Sequence, residues 1–229
     1  MQDKKFLFVG ARTKVLNTML KLGLNTTAFI FADTFAARMM KGKCTEFSSK
    51  NELLALIEGA EFDILVSNGC PYILPVSKLK KSGQIFVNLH PSLLPKLRGA
   101  APINASILLD EEAGATCHMM DDGVDSGDII AWQRVKNNKS VNLSLLYQLC
   151  FYAEARAFEK ALRRKFRPRK KQDEKKASYY KRNEKDMNLN LDADSDELIL
   201  RKVRAFSLKG QMVSFDMGGG KCSWFKMLA

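Results

Sequence analysis

The stretch SGQIFVNLHPSLLPKLRGAAPI, residues 82–103, begins as a strand and ends as a helix. The apolar run from Ile85 to Leu89 is bounded by Gly83 on one side and by Pro91 and Pro95 on the other, the pattern of a short buried strand that breaks into a loop. APINASILLD, residues 101–110, then has helical texture. On the N-terminal side, EFDILVSNG (61–69) reads as another buried strand and NELLALIEG (51–59) as a helix. Before those come KKFLFVG (4–10), VLNTMLKLGL (15–24) and TTAFIFA (26–32), which read as strand, helix, strand. On the C-terminal side, GATCHMMD (114–121) and GDIIAWQRV (127–135) read as strands. An amphipathic helix follows from Ser140 to about Lys165, with Leu143, Leu145, Leu146, Leu149 and Phe158 as expected core positions. The alternation predicts an α/β fold with a Rossmann-like, mostly parallel sheet flanked by helices.

The chain has 229 residues, enough for one substantial core and a small appendage. Residues 1–165 are expected to form the main domain. Residues 166–229 are expected to form a charged, Pro-containing linker and a small C-terminal α+β subdomain. In it SDELILRKVRAFSL (195–208) is helical, and QMVSFDM and KCSWFKML form a hairpin across Gly218, Gly219 and Gly220. Hydrophobic residues at 46% and charged residues at 27% place the chain in the globular class rather than the disordered one. With no apolar run near the ~20 residues that span a bilayer, and too short an apolar stretch at the start for a signal peptide, the expected location is cytoplasmic.

The net charge of +12 is concentrated. Lys160 to Lys185 carries thirteen Lys or Arg against three acidic residues, and the remainder is close to neutral. Such a run is most often a solvated face or a linker, although an RNA backbone would also match it. The five cysteines (Cys44, Cys70, Cys117, Cys150 and Cys222) are scattered, form no C-x-x-C pair and have only two histidines to join them. They read as buried reduced thiols, and no metal site is expected. Gly10 ends the first strand without a G-x-G-x-x-G, so this Rossmann-like topology does not imply a nicotinamide cofactor.

In open α/β sheets ligands bind beyond the carboxyl ends of the strands, which is where Asn88 and His90 fall, two residues apart and on the same side of an extended backbone. About 35 residues later, DDGVDSGDII (121–130) offers Asp125 in a Gly-flanked acidic loop. A donor for an oxyanion, a base and a carboxylate that orients the base are what acyl transfer to an amine requires. His118, on an otherwise apolar strand, reads as a packed structural histidine.

These residues resemble the folate-dependent formyltransferases. The resemblance rests on Asn88-Leu-His90-Pro-Ser-Leu-Leu-Pro95-Lys-Leu-Arg98-Gly99-Ala-Ala-Pro102, then Gly114-Ala-Thr116-Cys-His118, then Val124-Asp125-Ser-Gly127-Asp128-Ile129-Ile130, and spans roughly residues 5–165. It implies 10-formyltetrahydrofolate as formyl donor, Asn88 as stabiliser of the transition state, His90 as general acid/base, and Asp125 as the residue that sets the protonation of His90. It implies a folate pocket built from Tyr72, Ile73 and Leu74 and from Asp121, Asp122, Gly123 and Val124. Ala100 departs from relatives that carry arginine there.

The tail resembles that of enzymes formylating nucleotide-linked amino sugars for surface polysaccharides such as lipopolysaccharide. On that likeness Tyr179, Tyr180, Lys181 and Arg182 would contact the substrate, the aromatic pair stacking and the two cations neutralising a diphosphate. Methionyl-tRNA formyltransferase is the alternative, with the basic run gripping RNA. A formyltetrahydrofolate hydrolase and a non-catalytic RNA-binding protein are the remaining readings. A homodimer through the hairpin or a sheet edge is a further expectation.

Overall fold

A computed structural model describes residues 1, 3–136, 141–208, 210–216 and 221–223. The main body runs β1 (Lys5–Gly10), α1 (Thr13–Lys21), β2 (Asn25–Phe31), α2 (Phe35–Met39), β3 (Thr45–Phe47), α3 (Lys50–Gly59), β4 (Ile64–Asn68), α4 (Val76–Leu79) and β5 (Ile85–His90). It continues with β6 (Arg98–Gly99), α5 (Pro102–Leu108), β7 (Ala113–Met119), β8 (Ile129–Val135) and α6 (Leu143–Arg163). The remainder contains β9 (Tyr179–Tyr180), α7 (Glu184–Met187), β10 (Asn188–Leu189), α8 (Asp196–Ala205), β11 (Ser207–Leu208), β12 (Gln211–Met212), β13 (Ser214–Asp216) and β14 (Lys221–Ser223).

Seven strands form one sheet in the order β3-β2-β1-β4-β5-β7-β8. The pairs from β3 to β5 are parallel, and β7 and β8 add antiparallel at the far edge. This is the mostly parallel, helix-flanked sheet expected from the sequence. β1 shows why it is sandwiched: Phe6 and Phe8 join the apolar cluster on one face, with α1 and α6, while Leu7 and Val9 join the cluster on the other, with α3 and α4. Burying each such side chain contributes roughly 1.5–3 kcal/mol, so an unbroken run of them is stable only where both faces are covered. From β1 the strand order runs outward in both directions, which opens a crevice beyond its carboxyl end and that of β4. Gly10 permits that junction, since a Cβ there would stand 2.0 Å from the Asn68 carbonyl oxygen.

α6 starts at Leu143, its first turn closed by Asn142, whose side chain accepts the Leu145 amide at 2.9 Å. The expected start at Ser140 lies outside the described residues. Leu143, Leu146 and Phe158 are buried as expected, whereas Leu145 is 49% exposed. Two residues from Leu143, it points to the opposite side of the helix. The short elements α2, β3 and α4 had no reading in the sequence, being too brief to show a period.

The chain beyond Arg167 is bound to the body rather than trailing from it. Lys170 bridges Ile129 on β8, and Leu189, Ala205, Phe206, Val213 and Phe215 share one apolar cluster with α5 and α6. The expected hairpin pairs β13 with β14, Phe215 opposite Cys222, while Gly218, Gly219, Gly220 and residues 224–229 lie outside the described residues. Cys117 and Cys150 are buried thiols, but Cys44 and Cys70 are only half-buried; all four are free. The side chain of Cys222 is outside the description. No described helix is long and apolar enough to cross a membrane.

Candidate active site

β5 carries Asn88 and His90 to the crevice, and its antiparallel register with β7 sets Asn88 opposite His118. The loop between β7 and β8 then brings Asp125 over both. Its Oδ1 lies 3.1 Å from Asn88 Nδ2 and 3.3 Å from His118 Nε2. Its Oδ2 lies 3.3 Å from His90 Nδ1 and accepts the Gly99 amide at 3.0 Å. The carboxylate is therefore the hub of four groups drawn from β5, β6 and β7.

Hydrogen-bond chemistry assigns the protons. The Leu97 carbonyl stands 2.8 Å from His90 Nε2 and can only accept, so Nε2 carries the hydrogen and Nδ1 of the neutral ring presents its lone pair toward Asp125. In the same way the Met119 carbonyl, 2.7 Å from His118 Nδ1, accepts the hydrogen of that nitrogen, while Nε2 stands 3.2 Å from Asn88 Nδ2. Burial lowers the His90 imidazole below the usual 6.5, against the opposing pull of Asp125 and the Leu97 carbonyl. Burial pushes the Asp125 carboxyl up, but the two histidines and the Gly99 amide outweigh it and hold the group well below the usual carboxylate range. At neutral pH the pair is thus an uncharged imidazole facing a carboxylate, with no proton between them. A proton delivered to Nδ1 would complete a charge-assisted bond, the arrangement of a base poised to accept one.

The Asp125 loop holds a fixed shape. Asp121 Oδ1 accepts the Gly123 amide at 3.0 Å and the Ser126 hydroxyl at 2.7 Å, and Asp125 has left-handed backbone, φ 53°. A Cβ at Gly127 would stand 2.0 Å from the Met119 carbonyl oxygen, a backbone atom that cannot rotate away. Gly127→Ala is expected to destabilise the fold by about 1–3 kcal/mol, read by urea denaturation, and to reduce turnover further by displacing the carboxylate.

A cavity of about 390 Å³ opens onto this cluster. Tyr72, Ile73, Leu74, Asp121, Gly123 and Val124, all expected to hold the folate, line it together with Asn88, His90, His118 and Asp125. Ile73 is 59% exposed, an apolar side chain left uncovered at the mouth. Asp122 is not among the lining residues; its carboxylate accepts the Ser77 amide at 3.0 Å and ties the loop to the start of α4.

Tyr179, Tyr180, Lys181 and Arg182 also lie outside the lining. β9 pairs with β6 beside the cavity, but the Tyr179 hydroxyl accepts from Arg98 at 3.0 Å, the Tyr180 hydroxyl donates to Asp186 at 2.8 Å, and Arg182 donates to Gln211.

Two lining residues carried no such signal in the sequence. His118, read as a packed histidine, is buried as expected, yet it faces Asn88 and Asp125 within the cluster. Its opposition to Asn88 follows from an antiparallel register that no local pattern encodes. Arg12 stacks on Phe151, 4.8 Å from ring to guanidinium, and is paired with the fully buried Glu154 of α6. No group of three described His, Cys, Asp or Glu side chains converges as metal ligands.

Residues 35–162 match the formyl transferase family. Among sequence relatives, the methionyl-tRNA formyltransferase of Orientia tsutsugamushi is 37% identical over 131 residues, covering 56% of this chain and 43% of that protein. The chain spans about half or less of the length of such relatives. Among solved structures, a 4-N formyltransferase from Francisella tularensis superposes with a TM-score of 0.78 at 20% identity, over 97% of both chains. An N-formyltransferase from Helicobacter canadensis, solved with folinic acid and dTDP-3-aminofucose, gives 0.75 at 22% identity, covering 94% of this chain and 84% of that one.

Proposed function

Because the chain belongs to the formyl transferase family, we propose that it moves a formyl group from 10-formyltetrahydrofolate to the amine of a nucleotide-linked amino-deoxy sugar. The observation that carries the transfer chemistry is the Asn88–His90–Asp125 cluster at the floor of the cavity. The choice of acceptor is supported by the likeness of fold to the Helicobacter canadensis N-formyltransferase solved with dTDP-3-aminofucose, which covers 94% of this chain.

The donor fits the residues present. A flat heterocycle suits a slot with Tyr72, Ile73 and Leu74 on one segment and Gly123 and Val124 on another, and the reacting end would then lie toward Asn88 and His90. When bound, the folate supplies an activated formyl carbon. His90 Nδ1 takes the proton from the attacking amine, the imidazolium donates to Asp125 Oδ2, and as the formyl C–N bond to the donor breaks that proton passes to the leaving tetrahydrofolate nitrogen, returning His90 to its neutral form. Asn88 is aimed by the carboxylate, since turning the amide over would set its oxygen against Asp125 Oδ1. Its second amide hydrogen points to His118 Nε2, a partner that a developing oxyanion, bearing full charge, outcompetes.

A base that must be neutral gives a definite pH profile. Activity is expected to be lost as pH falls through the pKa of His90 and to persist above it, so kcat/KM should show an acid limb with a midpoint below 6.5. The acceptor amine, which must be neutral to attack, adds a limb of its own at higher pH; the absence of any limb that shifts to lower pH in Asp125→Asn would contradict the assignment of His90 as base.

The second reading, methionyl-tRNA as acceptor, is favoured by the 37% identity to the Orientia protein and by the exposed cations at Arg163, Arg164, Lys165, Arg167, Arg169 and Lys170. Comparing kcat/KM for dTDP-, UDP- and GDP-linked amino-deoxy sugars with that for initiator methionyl-tRNA separates the two. A sugar nucleotide preferred by at least about a hundredfold supports the proposal, corresponding to about 2.7 kcal/mol of transition-state discrimination. Preference for methionyl-tRNA overturns it.

A further inference from the structure

Arg98 is fully buried, yet it bears a charge and does not line the active-site cavity. All five of its guanidinium hydrogens are engaged. Nε and Nη2 donate to Gln172 Oε1 at 3.2 and 2.8 Å, Nη1 and Nη2 to the two oxygens of Glu174 at 2.9 and 2.7 Å, and Nη1 also to the Tyr179 hydroxyl at 3.0 Å. With its oxygen held by a cation, the Gln172 amide has one orientation only. Its nitrogen must face away from Arg98, and there it donates to the carbonyls of Asp125 and Gly127 at 2.8 and 2.7 Å. The two hydrogens of one amide thus staple the backbone on either side of Ser126, at the loop whose left-handed residue carries the central carboxylate.

We propose that Gln172, oriented by Arg98, is a positioning residue for the reaction, holding the Asp125 loop so that its carboxylate meets Asn88, His90 and His118 together. The proposal rests on the formyl-transfer reading for its kinetic consequence but not for its structural one. The segment from Lys170 to Gln172 therefore serves the site from behind, through the loop backbone. The titratable and charged groups that face His90 are Asp125 from the loop, His118 from β7 and Arg12 from the start of α1. Of these, Asp125 is the one that Gln172 controls.

Gln172→Met keeps the length of the side chain and removes both its donors and its acceptor. In the resting protein, NMR titration of the two histidine rings, assigned with His118→Asn, is expected to move the His90 midpoint down by about half a pH unit or more. The cause is that a displaced Asp125 no longer favours the charged ring. With an acceptor in hand, kcat is expected to fall about 10–100-fold while KM for the acceptor stays within about threefold. A folded variant with the wild-type His90 titration and wild-type kcat overturns the proposal, whatever its thermal stability. If the methionine variant does not fold, Gln172→Glu is measured in the same way: it can still bond Arg98 but sets an acceptor against two carbonyls. The histidine titration needs no substrate, so it decides the role of Gln172 even if no tested amine is formylated.

Discussion

Replacing His90 by alanine is expected to lower kcat by about 10²–10⁴-fold while leaving binding of the formyl donor within a few-fold of wild type. The magnitude follows from what is lost. Among the described residues no other base takes the His90 position: His118 commits Nδ1 to a backbone carbonyl and turns Nε2 toward Asn88 and Asp125. The slot proposed for the donor is lined by other segments, Tyr72 to Leu74 and Gly123 to Val124, so affinity there has no reason to follow. Some stability is expected to go as well. The Leu97 carbonyl accepts from a ring that is only 5% exposed, and leaving it without a donor costs about 1–3 kcal/mol. Urea denaturation separates that loss from the catalytic one. A His90→Ala protein that is folded and turns over at near wild-type rate would remove the ring from the mechanism.

Asp125→Asn is expected to lower kcat by a comparable factor, about 10²–10⁴, although it changes the volume of the side chain hardly at all. An amide at that position cannot satisfy its neighbours. With its nitrogen toward Asn88, two NH₂ groups face each other; with its nitrogen toward His90, it donates to the lone pair that the amine proton needs. Removing the charge also removes the main influence that raises the His90 pKa, so any residual activity should have its acid limb at lower pH than wild type. Stability should respond with a definite sign. The folded-state pKa of Asp125 is depressed, so its contribution is present above the ordinary value of 3.8 and fades as pH falls through the folded value. The variant should therefore be less stable than wild type at neutral pH, with a difference that narrows in acid. Parallel urea titrations near pH 7 and near pH 2, below the ordinary carboxylate value, check this.

Much of this architecture is legible in the sequence because its central strands are buried on both faces. β1, β4 and β5 each read as short apolar runs closed by Gly, Asn or Pro, and the structure places all three side by side. Asn88 and His90 were recognisable from their two-residue spacing at a strand end, and Asp125 from its glycine-flanked loop. What local pattern does not carry is pairing between distant segments. His118 joins the cluster only through the β5–β7 register, and Gln172 reaches the Asp125 loop only because the charged segment after Arg167 folds back along β8. Leu145 marks the opposite limit: leucine content alone marked it as core, whereas its angular position on α6 leaves it half in solvent. Tyr179 and Tyr180 show how an aromatic pair beside cations can serve the fold, one bonded to Arg98 and the other to Asp186.

The most direct measurement is to follow the carbon of 10-[¹³C-formyl]tetrahydrofolate by mass spectrometry and NMR after incubation with a dTDP-linked amino-deoxy sugar and either the wild-type chain or Asp125→Asn. Label appearing as a formamide on the sugar nitrogen with the wild-type chain, and reduced at least about a hundredfold with the variant, is the result expected for transfer through the Asn88–His90–Asp125 cluster. Label released as formate with the sugar unchanged would contradict it, as would a formylated sugar made equally well by the variant.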